Sequence, residues 1–241
     1  MGNPTAAMLV IGDEILSGRT RDTNTNHLAT QLTGRGIRLC EARVVADDHA
    51  AIVAALNALR GAYDHVFTSG GIGPTHDDIT ADAVAAAFGV GIDVREDAHE
   101  ILKAHYQRTG LELNAMRLRM ARIPEGATLI DNPISAAPGF TLGNVHVMAG
   151  VPAIFEAMVA SVLPGLTGGD PLLSQMIDVP RGEGEIAQAL KDLAGKYPAL
   201  SFGSYPYQRN GAYGTQLVVR GTDAGLLAAA MVELAALAGT A

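Results

Sequence analysis

Short apolar runs of strand length alternate with segments of helical period along the first two thirds of the chain, and that alternation leaves few folds open. Ala7 to Ile11 reads as a strand, Thr25 to Thr33 as a helix, Arg38 to Val45 as a strand and Asp48 to Leu59 as a helix. Tyr63 to Ser69 is the next strand, followed by helices over Asp78 to Phe88 and from Asp97 to about Arg108. Strands joined by helices pair in parallel, so the expected class is α/β, a doubly wound three-layer domain. Phe140 to Leu142 and Val145 to Met148, joined at Gly143-Asn144, read as a hairpin, and Ile154 to Leu163 closes this domain as a helix.

Breakers concentrate from Leu163 to Pro171, which sets the expected division at 1–168 and 169–241. Beyond it come a strand near Gln175 to Val179, a helix from Glu183 to Ala194, strands near Leu200 to Tyr205 and Thr215 to Arg220, and a helix from Ala224 to Leu237. This order predicts a small α+β domain without clustered acids, and Gly203 to Tyr207 reads there as a structural turn.

The segment Thr68-Ser69-Gly70-Gly71-Ile72-Gly73-Pro74-Thr75-His76-Asp77-Asp78-Ile79-Thr80 carries the most chemical information. It places a glycine-rich loop between a strand and a helix, where backbone N–H groups and the helix N-terminus favour an anion. Asp77 and Asp78 would repel that anion unless a divalent cation bridges them, so the segment predicts a metal–phosphate site. Helix capping is the competing account: Thr75 and Asp78 have the spacing of a capping box, and Asp77 is itself a good N-cap. Capping leaves the three glycines unexplained. His76 reads as solvated.

Asp13, Glu14 and Asp47 would stand with Asp77 and Asp78 above the carboxyl ends of the strands, where parallel sheets bind ligands. Asp48 reads as the cap of the helix that follows it, and Asn24 and Asn26 also have the character of caps. Other chemistries lack their residues. The glycine spacing is not that of a dinucleotide fingerprint, no P-loop lysine follows a glycine loop, no serine elbow exists, and the seven histidines form no paired zinc motif. A net charge of −8 argues against nucleic acid as partner, and Arg117, Arg119 and Arg122 read as a solvated helix face. A single cysteine, Cys40, excludes an internal disulfide and suits a reducing compartment. No run has membrane-spanning length, so a cytoplasmic protein without membrane partners is expected.

The motif GGIGPTHDDIT resembles the signature loop of the molybdopterin-binding superfamily. The resemblance is to the branch containing the N-terminal part of competence/damage-inducible protein A (CinA) and the N-terminal hydrolase-like domain of eukaryotic FAD synthase. Ile11 to Gly18, Asp22 to Asn26, Val44 to Asp48, Ala137 to Phe140 and Gly150 to Pro152 are similar to further motifs of that branch, in the same order. The resemblance implies that Asp13, Asp22, Asn24 and Asp47 face a nucleotide. It also implies that Asp77 and Asp78 are catalytic and hold a divalent metal, Mg²⁺, Mn²⁺ or Co²⁺. With Gly12, Glu14, Ser69, Gly70, Gly71, Gly73, Pro74, Thr75, Asn132, Ala137, Pro138 and Gly139, these residues make up the expected site for a nucleotide or pterin-phosphate ligand. The implied activity is metal-dependent hydrolysis of the diphosphate in ADP-ribose- or FAD-like substrates. The alternative is a molybdopterin- or nucleotide-binding protein without turnover. A homodimer is implied as well. Ser135-Ala136 stands where the branch carries Gly-Thr, a departure at the base or pterin end of the site.

Overall fold

The computed structural model describes residues 2–209 and 211–239. By its internal contacts the chain divides into two compact units, Met1–Gly169 and Asp170–Ala241.

The first unit runs β1 (Thr5–Ile11), α1 (Asp13–Leu16), α2 (Asn24–Gly34), β2 (Arg38–Val45), α3 (His49–Ala62), β3 (His65–Ser69), α4 (Thr80–Phe88), β4 (Ile92–Val94) and α5 (Glu96–Thr109). It continues with α6 (Ala115–Leu118), β5 (Arg122–Pro124), β6 (Thr128–Ile130), β7 (Gly139–Leu142), β8 (Val145–Met148) and α7 (Pro152–Val162). Six strands form one sheet in the order β2-β1-β3-β8-β7-β6. The first four are mutually parallel and the last two antiparallel, so the doubly wound class holds with a mixed edge.

Strand β1 lies in the middle of the parallel part and is buried along nearly its whole length, as its unbroken apolar run requires. Successive side chains point to opposite faces, so Ala7, Leu9 and Ile11 enter one core with Ile52, Leu56 and Leu59 of α3 and Val84 of α4. Ala6, Met8 and Val10 enter the other, with Leu28 and Leu32 of α2 and Phe155 and Val159 of α7. Strand β2 alternates between exposed and half-buried residues because it is the sheet edge. Asp48 caps α3 by accepting from the Ala51 N–H at 2.8 Å, as its sequence position predicts.

Two boundaries move for identifiable reasons, and three short strands are additions. Strand β3 starts at His65, because Tyr63 still donates its N–H to Leu59 at the end of α3. Helix α4 starts at Thr80, because Asp78 belongs to the preceding turn. The two-stranded ribbon β4–β5 and strand β6 are three residues per strand, too short for a hydrophobic period to appear.

The second unit comprises β9 (Leu173–Val179), α8 (Glu183–Lys196), β10 (Ser201–Arg209), β11 (Ala212–Gly221) and α9 (Ala224–Gly239). Its antiparallel sheet has the order β10-β11-β9 and packs Val179, Leu217 and Val219 against Ile186, Leu193 and Leu234. Gly203 to Tyr207 is not a turn. It continues β10 in register with β11, and Pro206 is accommodated because β10 is an edge strand.

His146 on β8 is 4% exposed. Its Nε2 lies 3.2 Å from His65 Nδ1 and its Nδ1 lies 3.0 Å from the Thr141 hydroxyl, a pattern satisfied by a neutral ring. Burial, with a smaller contribution from His65, lowers its pKa from 6.5 to about 4. Between those values the unfolded chain takes up more protons, so the stability contributed by neutral His146 is complete above pH 6.5 and lost as the pH falls to about 4. Thermal melts should show stability declining over that window by up to about 3 kcal/mol. The variant His146→Gln should have a flatter profile.

Candidate functional site

The site begins where the strands end. In the order β2-β1-β3 the chain leaves β1 toward one side and later toward the other, which opens a crevice between the carboxyl ends of β1 and β3. Gly70 closes the floor of that crevice. Its φ is +110°, and a Cβ there would lie 2.1 Å from the Ile11 carbonyl oxygen, so only glycine fits. Gly71, at φ +68°, leaves equally little room, since a Cβ would lie 2.1 Å from the Thr80 hydroxyl. Thr80 is buried and ties the loop to α4, donating its N–H to Gly71 O and its hydroxyl to Gly70 O, each at 3.0 Å.

These bonds account for the loop's carbonyls. Among the described residues, nothing accepts from the N–H groups of Gly71, Ile72 and Gly73. Three backbone donors without a protein acceptor thus stand in the loop before α4, and groups of this kind are ones from which an anion can accept. Asp78 then turns back on the loop, its Oδ2 accepting from the Thr75 N–H at 2.8 Å and from the Thr75 hydroxyl. Helix α4 has no side-chain cap, so Asp78 stabilises a turn that precedes the helix rather than the helix start itself. Thr75 acts on Asp77 too, its hydroxyl being the first cause that holds the Asp77 carboxyl below the ordinary range. His76 is 93% exposed at its side chain, in keeping with a solvated residue.

The crevice opens into a cleft of about 600 Å³. Glu14, Asp47, Gly70, Gly71, Gly73 and Pro74 line it, and Asp77, Asp78, Asn132 and Ala137 complete the predicted part of the wall. Asp22, Asn24 and Ser69 border a smaller pocket that shares Glu14 and Gly150 with the cleft. Pro138 faces a cavity behind the glycine loop. The remaining predicted residues contribute through the backbone or through neighbours. Asp13 donates its N–H to Asp47 Oδ2 at 2.9 Å, and Gly12 donates to Val45 O at 3.1 Å. Thr75 holds Asp78, and Gly139 opens β7 opposite Ile130 of β6. Arg19, Thr20, Met120 and Ile154 also line the cleft, and no sequence signal singled them out. Arg19 and Thr20 do follow the first loop motif directly, which was the available hint.

Two asparagines organise the walls. Asn24 does not cap α2. It is buried, and its Nδ2 bridges Ser69 Oγ at 2.7 Å and Gly150 O at 2.8 Å, joining α2 to the ends of β3 and β8, while its Oδ1 has no protein partner. Asp22 makes the local contacts, with Thr25 N at 3.1 Å and with the Thr25 hydroxyl. Asn132 is fully engaged: Nδ2 donates to Ser135 Oγ and Ala137 O, and Oδ1 accepts from the N–H groups of Ile134 and Ser135. The loop it holds contains Ala136 at φ +64°, the non-glycine residue with positive φ among those described.

The arginines share no single solvated face. Arg117 stacks over Tyr106, Arg122 makes two 2.7 Å bonds to Asp82, and Arg119 enters the cavity behind the loop.

The acids determine the electrostatics. Burial is the main cause of a raised Asp47 pKa, and the charges of Asp13, Glu14 and Asp77 act in the same direction. A cluster of this sign attracts a cation. The donor set fits a metal shared with a ligand: Asp77 is exposed and Asp78 Oδ1 is unengaged, which suits one or two carboxylates with phosphate oxygens and water completing the shell. Glu96, His99 and Glu100 on α5 bring three ligand atoms within 4.8 Å, but Lys103 holds Glu100 at 2.8 Å and the helix N-terminus disfavours a cation.

A mixed, doubly wound sheet with a cleft above its parallel strand ends is the molybdopterin-binding-type fold, here followed by a small antiparallel α+β unit. The family model described as "Probable molybdopterin binding domain" matches residues 7–168, and one described as "FAD synthase, middle domain" matches residues 171–240. The chain belongs to the molybdopterin-binding domain family, in its CinA-like branch. A "CinA-like protein" of Citrifermentans bemidjiense is 41% identical over 67% of this chain and 40% of its own length. A "Probable FAD synthase" of Caenorhabditis elegans is 30% identical over 95% of this chain and 49% of its own length. The crystal structure of the protein CinA "with unknown function" from Thermoplasma acidophilum superposes with a TM-score of 0.62 at 34% identity, covering 67% of this chain and 97% of that one. The chain thus spans 40% to about half of the two curated relatives.

If the raised pKa of Asp47 reflects charge held in an unfavourable place, its neutral amide should relieve the strain. Asp47→Asn keeps an oxygen for the Asp13 N–H. It should raise the melting temperature of the ligand-free protein by about 1–3 °C while weakening divalent-cation binding.

Proposed function

We propose that this protein is a divalent-metal-dependent nucleotide pyrophosphatase of CinA-like type, hydrolysing the diphosphate of ADP-ribose- or FAD-like substrates. The observation that carries this reading is the conjunction of three unpartnered N–H groups at Gly71, Ile72 and Gly73 with Asp77 and Asp78 at the same cleft wall. The loop would hold phosphate oxygens, and Asp77 and Asp78 would hold Mg²⁺, Mn²⁺ or Co²⁺. That ion, when bound, screens the diphosphate and increases its susceptibility to water. Asp47, with its raised pKa and its link to the Asp13 N–H, is suited to orient the attacking water and accept its proton. Asn24 borders the small pocket at the ribose or base end, and the loop held by Asn132 shapes the far wall.

The second reading is a molybdopterin- or nucleotide-binding protein without turnover. The engagement of Asp78 Oδ2 with Thr75 favours it, because a carboxylate that stabilises its own loop need not act on a substrate. Cytoplasmic residence and a homodimer belong to the same proposal. Among the described residues no helix is long and apolar enough to cross a membrane.

Incubation with ADP-ribose, FAD and dinucleoside polyphosphates in the presence of each metal should release AMP. Asp77→Asn and Asp78→Asn should each lower the rate tenfold or more, by roughly 1.4 kcal/mol in transition-state stabilisation, whereas His76→Ala should stay within about twofold. The amide at position 78 still accepts from Thr75, so a loss there reports charge rather than loop collapse. Binding without AMP release under any metal would establish the second reading.

A further inference from the structure

Behind the glycine loop lies a small cavity walled by Gly71, Gly73, Asp78, Pro138 and Phe140, and Arg119 reaches into it. Gly71, Gly73, Asp78 and Met120 line this cavity and the main cleft alike, so the cavity adjoins the cleft across the glycine loop, with Arg119 on its inner side. Arg119 opens a 3-10 turn whose last residue, Ala121, is buried and accepts from the Arg95 N–H at 2.9 Å. Its backbone is thereby fixed to the β4–β5 ribbon, and the direction of the side chain follows.

The guanidinium is under-used. It has five N–H donors, yet its hydrogen bond to protein is one from Nη2 to the Asp78 carbonyl at 3.3 Å, long for a charge-assisted bond. Its Nε is buried without a partner. The neighbouring cations are already satisfied, Arg122 by the Asp82 carboxylate and Arg117 by Tyr106 and the Glu112 carbonyl. Asp78 directs its Oδ2 to Thr75, so no carboxylate within 4.0 Å pairs with Arg119 among the described residues. A half-buried charge of this kind is costly in the free protein, and a second charge of opposite sign relieves it.

We propose that Arg119 is the anion-binding side chain of the loop site, taking a phosphoryl oxygen of a diphosphate ligand opposite the N–H groups of Gly71 to Gly73. The ligand class is inorganic pyrophosphate or a diphosphate ester. This rests on the reading of the loop as a phosphate site and does not require hydrolysis. The planar fork of the guanidinium matches two phosphoryl oxygens, which a lysine would not.

Calorimetric titration of the 241-residue protein with inorganic pyrophosphate tests the assignment. Arg119→Gln should raise the dissociation constant at least tenfold and make its dependence on salt concentration shallower, while the ligand-free melting temperature stays the same or rises. Arg119→Lys should recover part of the affinity. An unchanged dissociation constant in Arg119→Gln overturns the proposal. So does a loss of affinity with unaltered salt dependence, which would mean that Arg119 only supports the Asp78 carbonyl. Should Arg119→Gln fail to fold, modification of wild-type Arg119 by phenylglyoxal gives the answer: pyrophosphate should slow it, and absence of protection overturns the proposal. Wild-type protein that binds pyrophosphate but releases no AMP removes hydrolysis and leaves Arg119 in place. Wild-type protein that binds no pyrophosphate removes both.

Discussion

The approach of the end of β1 to the end of β3 governs the rest of the cleft. Gly70 passes so near the Ile11 carbonyl that a single methyl group would push the two strand ends apart. A separation there would displace the N–H groups of Gly71 to Gly73 and the Thr80 contacts that hold the loop to α4. Gly150 reinforces the same junction from β8, where a Cβ would come within 3.2 Å of Gly70 Cα. Three strand ends converge because two of them carry no side chain. Side chains from other segments, Asp47 and Asn24 among them, gain fixed positions relative to the loop as a result.

Much of this was legible in the sequence. The apolar runs gave β1 and β2, and the glycine loop announced its own position between a strand and a helix. The placement of Asp47 beside Asp13 followed from parallel topology alone, since all carboxyl ends of parallel strands lie on one edge. The contacts of polar side chains were less accessible. Asn24 looks like a helix cap by type and place, but a buried amide that joins three elements depends on tertiary neighbours, Ser69 and Gly150, far away in the chain. Likewise, Arg117, Arg119 and Arg122 cluster in the sequence and read together as a solvated helix face. The helix ends after Leu118, and each arginine then points to a different partner. In β10, Gly203 to Tyr207 reads as a turn, and a proline within a strand would interrupt a central ladder. An edge position removes that objection, and edge positions are a property of the whole sheet.

The late loop around Ser135-Ala136 has a conformation of its own. Ala136 occupies a left-handed backbone conformation held in place by Asn132, whose four hydrogen bonds determine the path of the segment over Ser135 and Ala137. A non-glycine residue there stores strain of about 1 kcal/mol, and the surrounding bonds are what retain it. The far wall of the cleft is therefore formed by a slightly strained loop whose path is held by Asn132.

The bidentate pair between Asp82 and Arg122 has an electrostatic consequence for α4. An acid in the first turn of a helix ordinarily neutralises the positive end of the helix dipole. Here Asp82 has its charge balanced by Arg122, a residue anchored in β5. The amino end of α4 consequently retains its field, directed toward the loop that precedes it. The electrostatic polarity of one wall of the cleft is thus maintained by an ion pair that lies one layer behind it.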